Sequence, residues 1–184
     1  FMGVQHSIAC MGDDNSPILH VDVLPILGSG LVDSRANALM STLPKPLAGQ
    51  IAAIRTSLGY SIKGDFSEEE ATHAAINLFS DPIIETYTID GSIGAGQLPG
   101  GNYSDLTVQV GFKPGVTDNR AMAAEDGLGT IFPNKPNKVA STISYHFWLH
   151  DDRLGLDELV DQLHNPVLEE YSILDGQNRI DNLI

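Results

Sequence analysis

The sequence predicts an α+β fold in which two copies of one β-α-β-α-β module pair into a single pseudo-symmetric body. The first observation behind this is the stretch LTVQVGFKPGVTDNR at 106–120. Leu106, Val108 and Val110 alternate with Thr107, Gln109 and Gly111, the period of a half-buried strand. Pro114-Gly115 then marks a tight turn, and Asp118 stands where a side chain can cap the alanine-rich helix expected over 120–128. The second observation is the same order about 85 positions earlier, as Val21, Val23, Gly30, Asp33 and Arg35. The third is two further blocks at that spacing: LGYSI at 58–62 against ISYHF at 143–147, and DPIIETYTI at 81–89 against NPVLEEYSI at 165–173. Two copies are too few for a solenoid, so they are expected to pair with each other.

Taken in order, residues 1–17 read as an arm ending in the polar GDDNSP. Repeat 1 spans 18–90. Its first strand covers 18–27, with Pro25 implying an edge position or a bulge. Gly28, Ser29 and Gly30 turn the chain, Asp33 or Ser34 caps a helix to about residue 43, and Pro44 and Pro46 stop it. The second strand, 51–63, carries Ile54, Thr56, Leu58, Tyr60 and Ile62 on one face. Ser67 and Glu70 form a capping box for a helix over 67–79, whose first turn holds Glu68 and Glu69. Its buried stripe is Ala71, Ala75, Leu78 and Phe79. Asp81-Pro82 leads into a third strand over 83–89.

Residues 91–104 are glycine-rich and read as a linker. Repeat 2 spans 105–174, with a strand over 142–150 carrying Ile143, Tyr145, Phe147 and Leu149 on one face. A helix over 157–163 and a strand over 167–173 complete it, and 175–184 read as the start of a linker to a further region.

The formal net charge is −14, from 10 Lys and Arg against 24 Asp and Glu. Binding a phosphate backbone relies on cationic side chains, so nucleic acid is excluded as a partner, and anionic membrane surfaces with it. The composition, 42% hydrophobic and 18% charged, is that of a folded chain. The single cysteine, Cys10, permits no internal disulfide and fits a reducing, cytoplasmic setting. No apolar run reaches the roughly 18 residues a membrane span needs, and no signal peptide is evident.

Each residue set that could carry chemistry has a plainer explanation. Cys10 lies in the arm with no base beside it in sequence. His146 and His150 point to the same strand face with Ser144 and Trp148, and a metal there would need two more ligands, such as Asp151 or Asp152; solvated surface histidines are the expectation. The glycines of 91–101 precede neither Lys-Ser/Thr nor a helix start, so they form no phosphate cradle. Glu68, Glu69 and Glu70 belong to a helix start. Asp33 and Asp118 recur as caps, and Arg35 and Arg120 recur as surface or interface cations. No nucleophile, base and oxyanion site come together, so the chain is expected to be non-catalytic and to hold no cofactor or metal.

The residues GFKPGVTDNRA at 111–121, SLGYSIKGD at 57–65 and LFSDPIIETYTID at 78–90 resemble phosphoribosylformylglycinamidine synthase. Specifically, they are similar to the PurS-type module of that enzyme in its tandem, fused form, over about residues 18–175. The most specific pieces are KPGVTD at 113–118 and NPVLEEY at 165–171. The chain departs from the pattern at Ser34 and Ala36, where the small-subunit form usually has Pro and Gly, and at Ala121, where fused relatives tend to carry Gly.

The resemblance implies a two-layer sandwich, with four main helices on a shared sheet and a core from the Leu58/Tyr60/Ile62 and Ile143/Tyr145/Phe147 faces. It also implies a scaffold of a purine-biosynthesis ligase. The parent enzyme uses ATP, with magnesium, and glutamine to turn formylglycinamide ribonucleotide into formylglycinamidine ribonucleotide. The module itself is not catalytic: it docks the synthetase and glutaminase units and borders the ammonia route. Pro114, Gly115, Asp118, Arg120, Asp33 and Arg35 are its expected interface or structural residues. The alternative is an ACT-type sensing domain, also built from paired α+β modules, with small molecules bound at the junction near the Gly30 and Gly115 turns.

Overall fold

The computed structural model describes residues 16–26, 30–90, 104–150 and 154–175. The expected arm through residue 15 with Cys10, Gly28 and Ser29, the glycine-rich segment through 103, Asp151, Asp152 and the tail from 176 lie outside the described residues. In chain order come β1 (Ile18–Pro25), α1 (Ser34–Thr42), α2 (Lys45–Ala48), β2 (Ile51–Lys63) and α3 (Glu68–Ala74), which runs into a π-helical turn (Ala75–Phe79). Then follow β3 (Glu85–Ile89), β4 (Leu106–Phe112), α4 (Asn119–Ile131), β5 (Lys138–Leu149), α5 (Leu156–Leu163) and β6 (Glu169–Asp175). All six strands form one antiparallel sheet in the order β3-β1-β2-β5-β4-β6, so the class is α+β.

Local chemistry explains where elements begin and end. Ser67 and Glu70 make the reciprocal capping box at α3, as the sequence predicts. Pro46 does not end a helix; it sits in the first turn of the short α2, where its missing N–H costs nothing. Pro25 is neither at a sheet edge nor at a bulge, because β1 lies between β3 and β2. Backbone N–H groups of His20 and Ile26 point toward the β3 side, so the nitrogen of Pro25 faces β2. The β1–β2 pairing has ended by then, at Val23 and Leu58, and no ladder bond is lost.

The strands β3 and β6 start two residues later than the hydrophobic runs imply. Asp81 Oδ1 accepts from the N–H of Ile83 at 3.0 Å, and Asn165 Oδ1 accepts from Val167 at 3.0 Å. These local side-chain turns hold Ile83 and Val167 out of the ladder, 79% and 76% exposed.

All the helices pack on one sheet face, over two separate cores. One joins Val21, Val23, Tyr60, Ile62, Ala75 and Phe79 to Ala121, Ala124, Leu128 and Val139. The other joins Leu43, Leu47 and Ile51 to Leu106, Val108, Phe147, Leu159 and Leu163. Each core therefore draws on residues from both sides of the 91–103 segment. The π-helical turn and α4 approach so closely that a Cβ on Gly127 would collide with Leu78 Cδ1. No helix of the described residues is long and apolar enough to cross a membrane.

Candidate functional site

The residues singled out in the sequence divide into clamps, turns and two free cations. Asp33 caps α1 by accepting from the Ala36 N–H at 2.9 Å. The same carboxylate reaches β2, accepting from the Thr56 N–H at 2.6 Å and the Thr56 hydroxyl at 3.0 Å. Asp118 does likewise for α4 and β5, accepting from the Ala121 N–H at 2.9 Å, the Ser141 N–H at 2.8 Å and the Ser141 hydroxyl at 2.9 Å. Each carboxylate thus ties a helix N-terminus to the strand that follows it, with three donors on its roughly four acceptor positions.

Asp33→Ala removes a cap worth about 0.5–2 kcal/mol and strands a buried N–H at about 1–3 kcal/mol. The expected destabilisation is about 2–4 kcal/mol by urea denaturation, and smaller for Asp118→Ala because Asp118 is less buried. Asp33→Asn should recover the cap alone, since one amide atom can no longer accept from Thr56.

Pro114 and Gly115 shape the turn into α4. Gly115 has φ 82° and Gly30 has φ 87°, a left-handed backbone that glycine takes without strain, and both stand in open space. Beside the second turn a cleft of about 220 Å³ is bordered by Lys113, Pro114, Gly115, Glu125 and Lys138. Its charged groups are already engaged. Lys113 Nζ donates to the Pro166 carbonyl, while Glu125 accepts from the Val139 N–H at 2.9 Å and lies 3.6 Å from Lys138 Nζ.

Arg35 and Arg120, one residue inside each helix start, make no hydrogen bond or ion pair among the described residues. Both act on the hydroxyls of Tyr60 and Tyr145. Burial raises the pKa of both phenols, and the two guanidiniums oppose that shift at each. Glu85 reinforces the rise at Tyr60, and Glu169 does so at Tyr145.

The sequence reading placed both tyrosines in the core and did not connect them with the arginines, nor Thr56 and Ser141 with the aspartates. The available signal was their recurrence at the same spacing as Asp33 and Asp118.

His146 is not a solvated surface group. It is fully buried on the sheet face away from the helices, with Nε2 3.1 Å from Ser57 Oγ and Nδ1 3.0 Å from Thr107 Oγ1. Ser144 and Trp148 on that face are buried too, so the face away from the helices is interior at these positions as well. His150 is exposed. Among the described residues no three His, Cys, Asp or Glu side chains are grouped to hold a metal ion. Glu68 and Glu69 are accounted for by the start of α3, and Glu70 by its bond to the Ser67 N–H and its 2.6 Å ion pair with Lys135.

Compared with known proteins, the chain matches no family model, no curated protein and no solved structure.

Proposed function

We propose that this chain is a pseudo-symmetric, non-catalytic scaffold of the phosphoribosylformylglycinamidine synthase type, docking a synthetase unit and a glutaminase unit and bordering the ammonia route. The observation that carries the reading is the strand order β3-β1-β2-β5-β4-β6, which is the same read from either edge if β4, β5 and β6 are copies of β1, β2 and β3. The clamps support the duplication: each aspartate bonds an N–H 3 positions on and a strand residue 23 positions on. So does the register, in which Leu58 pairs with its counterpart Ile143 while Thr56 faces Tyr145 and Tyr60 faces Ser141. On this reading an axis through the Leu58–Ile143 pair would exchange the two halves.

On this reading the repeated aspartates serve architecture. The exposed pairs Ile83/Ile84 and Val167/Leu168, at corresponding places beside the outer strands, are where flanking units would dock. The test is reconstitution: the chain is added to synthetase and glutaminase units of such a synthase lacking its own PurS-type module. Restored glutamine-dependent formation of formylglycinamidine ribonucleotide is expected, with no turnover by the chain alone. Turnover by the chain alone, or no complex and no restoration, would overturn the proposal.

A further inference from the structure

The two outer strands of the sheet are not equally covered. Tyr87 and Ile89 of β3 pack against the first core, which includes Ala74, Ala75 and Phe79 of the helical run between β2 and β3. Their counterparts in β6, Tyr171 and Ile173, join neither core and are 40% and 37% exposed. The helical cover is shorter on that side: α3 has 7 residues and its π-helical continuation 5 more, whereas α5 has 8. The bare strip continues into Val167 and Leu168. The same strand carries an open backbone. The Lys113 N–H donates to the Leu168 carbonyl, which in this antiparallel register makes Lys113 and Leu168 a bonded pair. By alternation Glu170, Ser172 and Leu174 bond to β4, while the N–H and C=O groups of Tyr171 and Ile173 point away from the sheet. Among the described residues no strand pairs with that side of β6. Its 7 residues include no proline or lysine, and its register has no bulge, the devices that usually blunt an edge.

We propose that the outer edge of β6 takes up an extended segment of a protein partner as a further, antiparallel strand, its apolar side chains lying on Tyr171 and Ile173 and its Lys or Arg side chains meeting the acidic surround.

Charge selects the partner. From Leu156 to Leu174, α5 through β6, the chain carries Asp157, Glu158, Asp161, Glu169 and Glu170 and no Lys or Arg. Accepting from a neutral N–H, as Glu169 Oε2 does from that of Asn165 at 2.7 Å, leaves a carboxylate's charge in place. Lys113, whose Nζ donates to the Pro166 carbonyl, sets a single positive charge beside these carboxylates. A cationic strand is therefore attracted and an anionic one repelled, on a chain whose net charge is −14. A second copy brings the same charge and the same acidic edge, which disfavours β6 pairing with itself. Backbone bonds along an edge supply affinity and alternate side chains supply selectivity, so the segment needs apolar residues at every second position and basic residues between them. This pairing gives one of the docking places proposed above its partner class, and rests on that scaffold reading for its purpose.

The test titrates the purified full chain with a short end-capped peptide of alternating Lys and Val, read by amide NMR shifts and hydrogen exchange. Binding should move the signals of Tyr171, Ser172 and Ile173 and slow exchange of the Tyr171 and Ile173 amides. Ile173→Pro removes an outward N–H while leaving the bonds to β4, so it should abolish binding. Ile173→Ser keeps that N–H and should weaken binding about tenfold through lost apolar contact. Glu169→Gln combined with Glu170→Gln should weaken it about threefold, as loss of exposed ion pairs does. Thermal melts confirm that each variant is folded, and the matching peptide of alternating Glu and Val should not bind. Absence of shifts at millimolar peptide would overturn the proposal, as would shifts centred on β3, or equal binding by the Glu/Val peptide or by Ile173→Pro. So would dimers of the chain alone that Ile173→Pro abolishes, because a second copy would then hold the edge. Reconstitution by Ile173→Pro as complete as the parent's would remove the edge and leave the scaffold standing, whereas peptide capture without reconstitution would do the reverse.

Discussion

Residues 16–90, produced without residues 104–175, will show no cooperative melting transition as a monomer. The reason is that neither core belongs to one half. The first loses Ala121, Ala124, Leu128 and Val139, and the second retains only Leu43, Leu47 and Ile51 of its buried members. Burial of each such aliphatic side chain contributes roughly 1.5–3 kcal/mol, while a whole domain is stable by only about 5–15 kcal/mol. The half would also turn β2, the longest strand at 13 residues, from a central strand into a bare edge. The expected products are a loosely ordered monomer or a dimer in which two copies of β2 pair as β2 and β5 do. Light scattering, near-UV circular dichroism and urea titration distinguish these from a monomeric half that melts sharply, the result that would show two independent domains.

Phe147→Asp should leave the chain unfolded at 25 °C. Phe147 is fully buried in the second core, paired with Ile54 on β2 and Leu106 on β4. Truncating such a phenylalanine costs about 3–5 kcal/mol, and an uncompensated buried carboxylate adds several more, which together match or exceed the stability of a typical domain. Phe147→Leu, which keeps most of the apolar volume, should lower stability by only about 1–2 kcal/mol in the same urea titration. A Phe147→Asp chain melting like the parent would refute the assignment of this strand face.

Much of the fold was legible because it rests on short-range physics. Alternation of apolar residues located β2 and β5, and the chemistry of Asp33, Ser67 and Asp118 located the helix starts. Boundaries drifted where local bonds outcompeted hydrophobic pattern. The Asp81 and Asn165 turns took Ile83, Ile84, Val167 and Leu168 from the strands, and Pro46 opened a helix instead of closing one. The candidate site was half legible. Asp33, Arg35, Asp118 and Arg120 stood out by recurrence, but their partners Thr56, Ser141, Tyr60 and Tyr145 lie on other strands, and which strands adjoin is not written locally.

By itself the sequence determined the α+β class, the order of elements and the caps, since each depends on residues within one or two turns of each other. Tertiary structure alone decided that β2 meets β5, that both cores are shared between the halves, and that His146 is buried and bonded to Ser57 and Thr107. Such facts depend on pairings between distant segments, where many registers satisfy the same local preferences and only the packing of the whole sheet selects one.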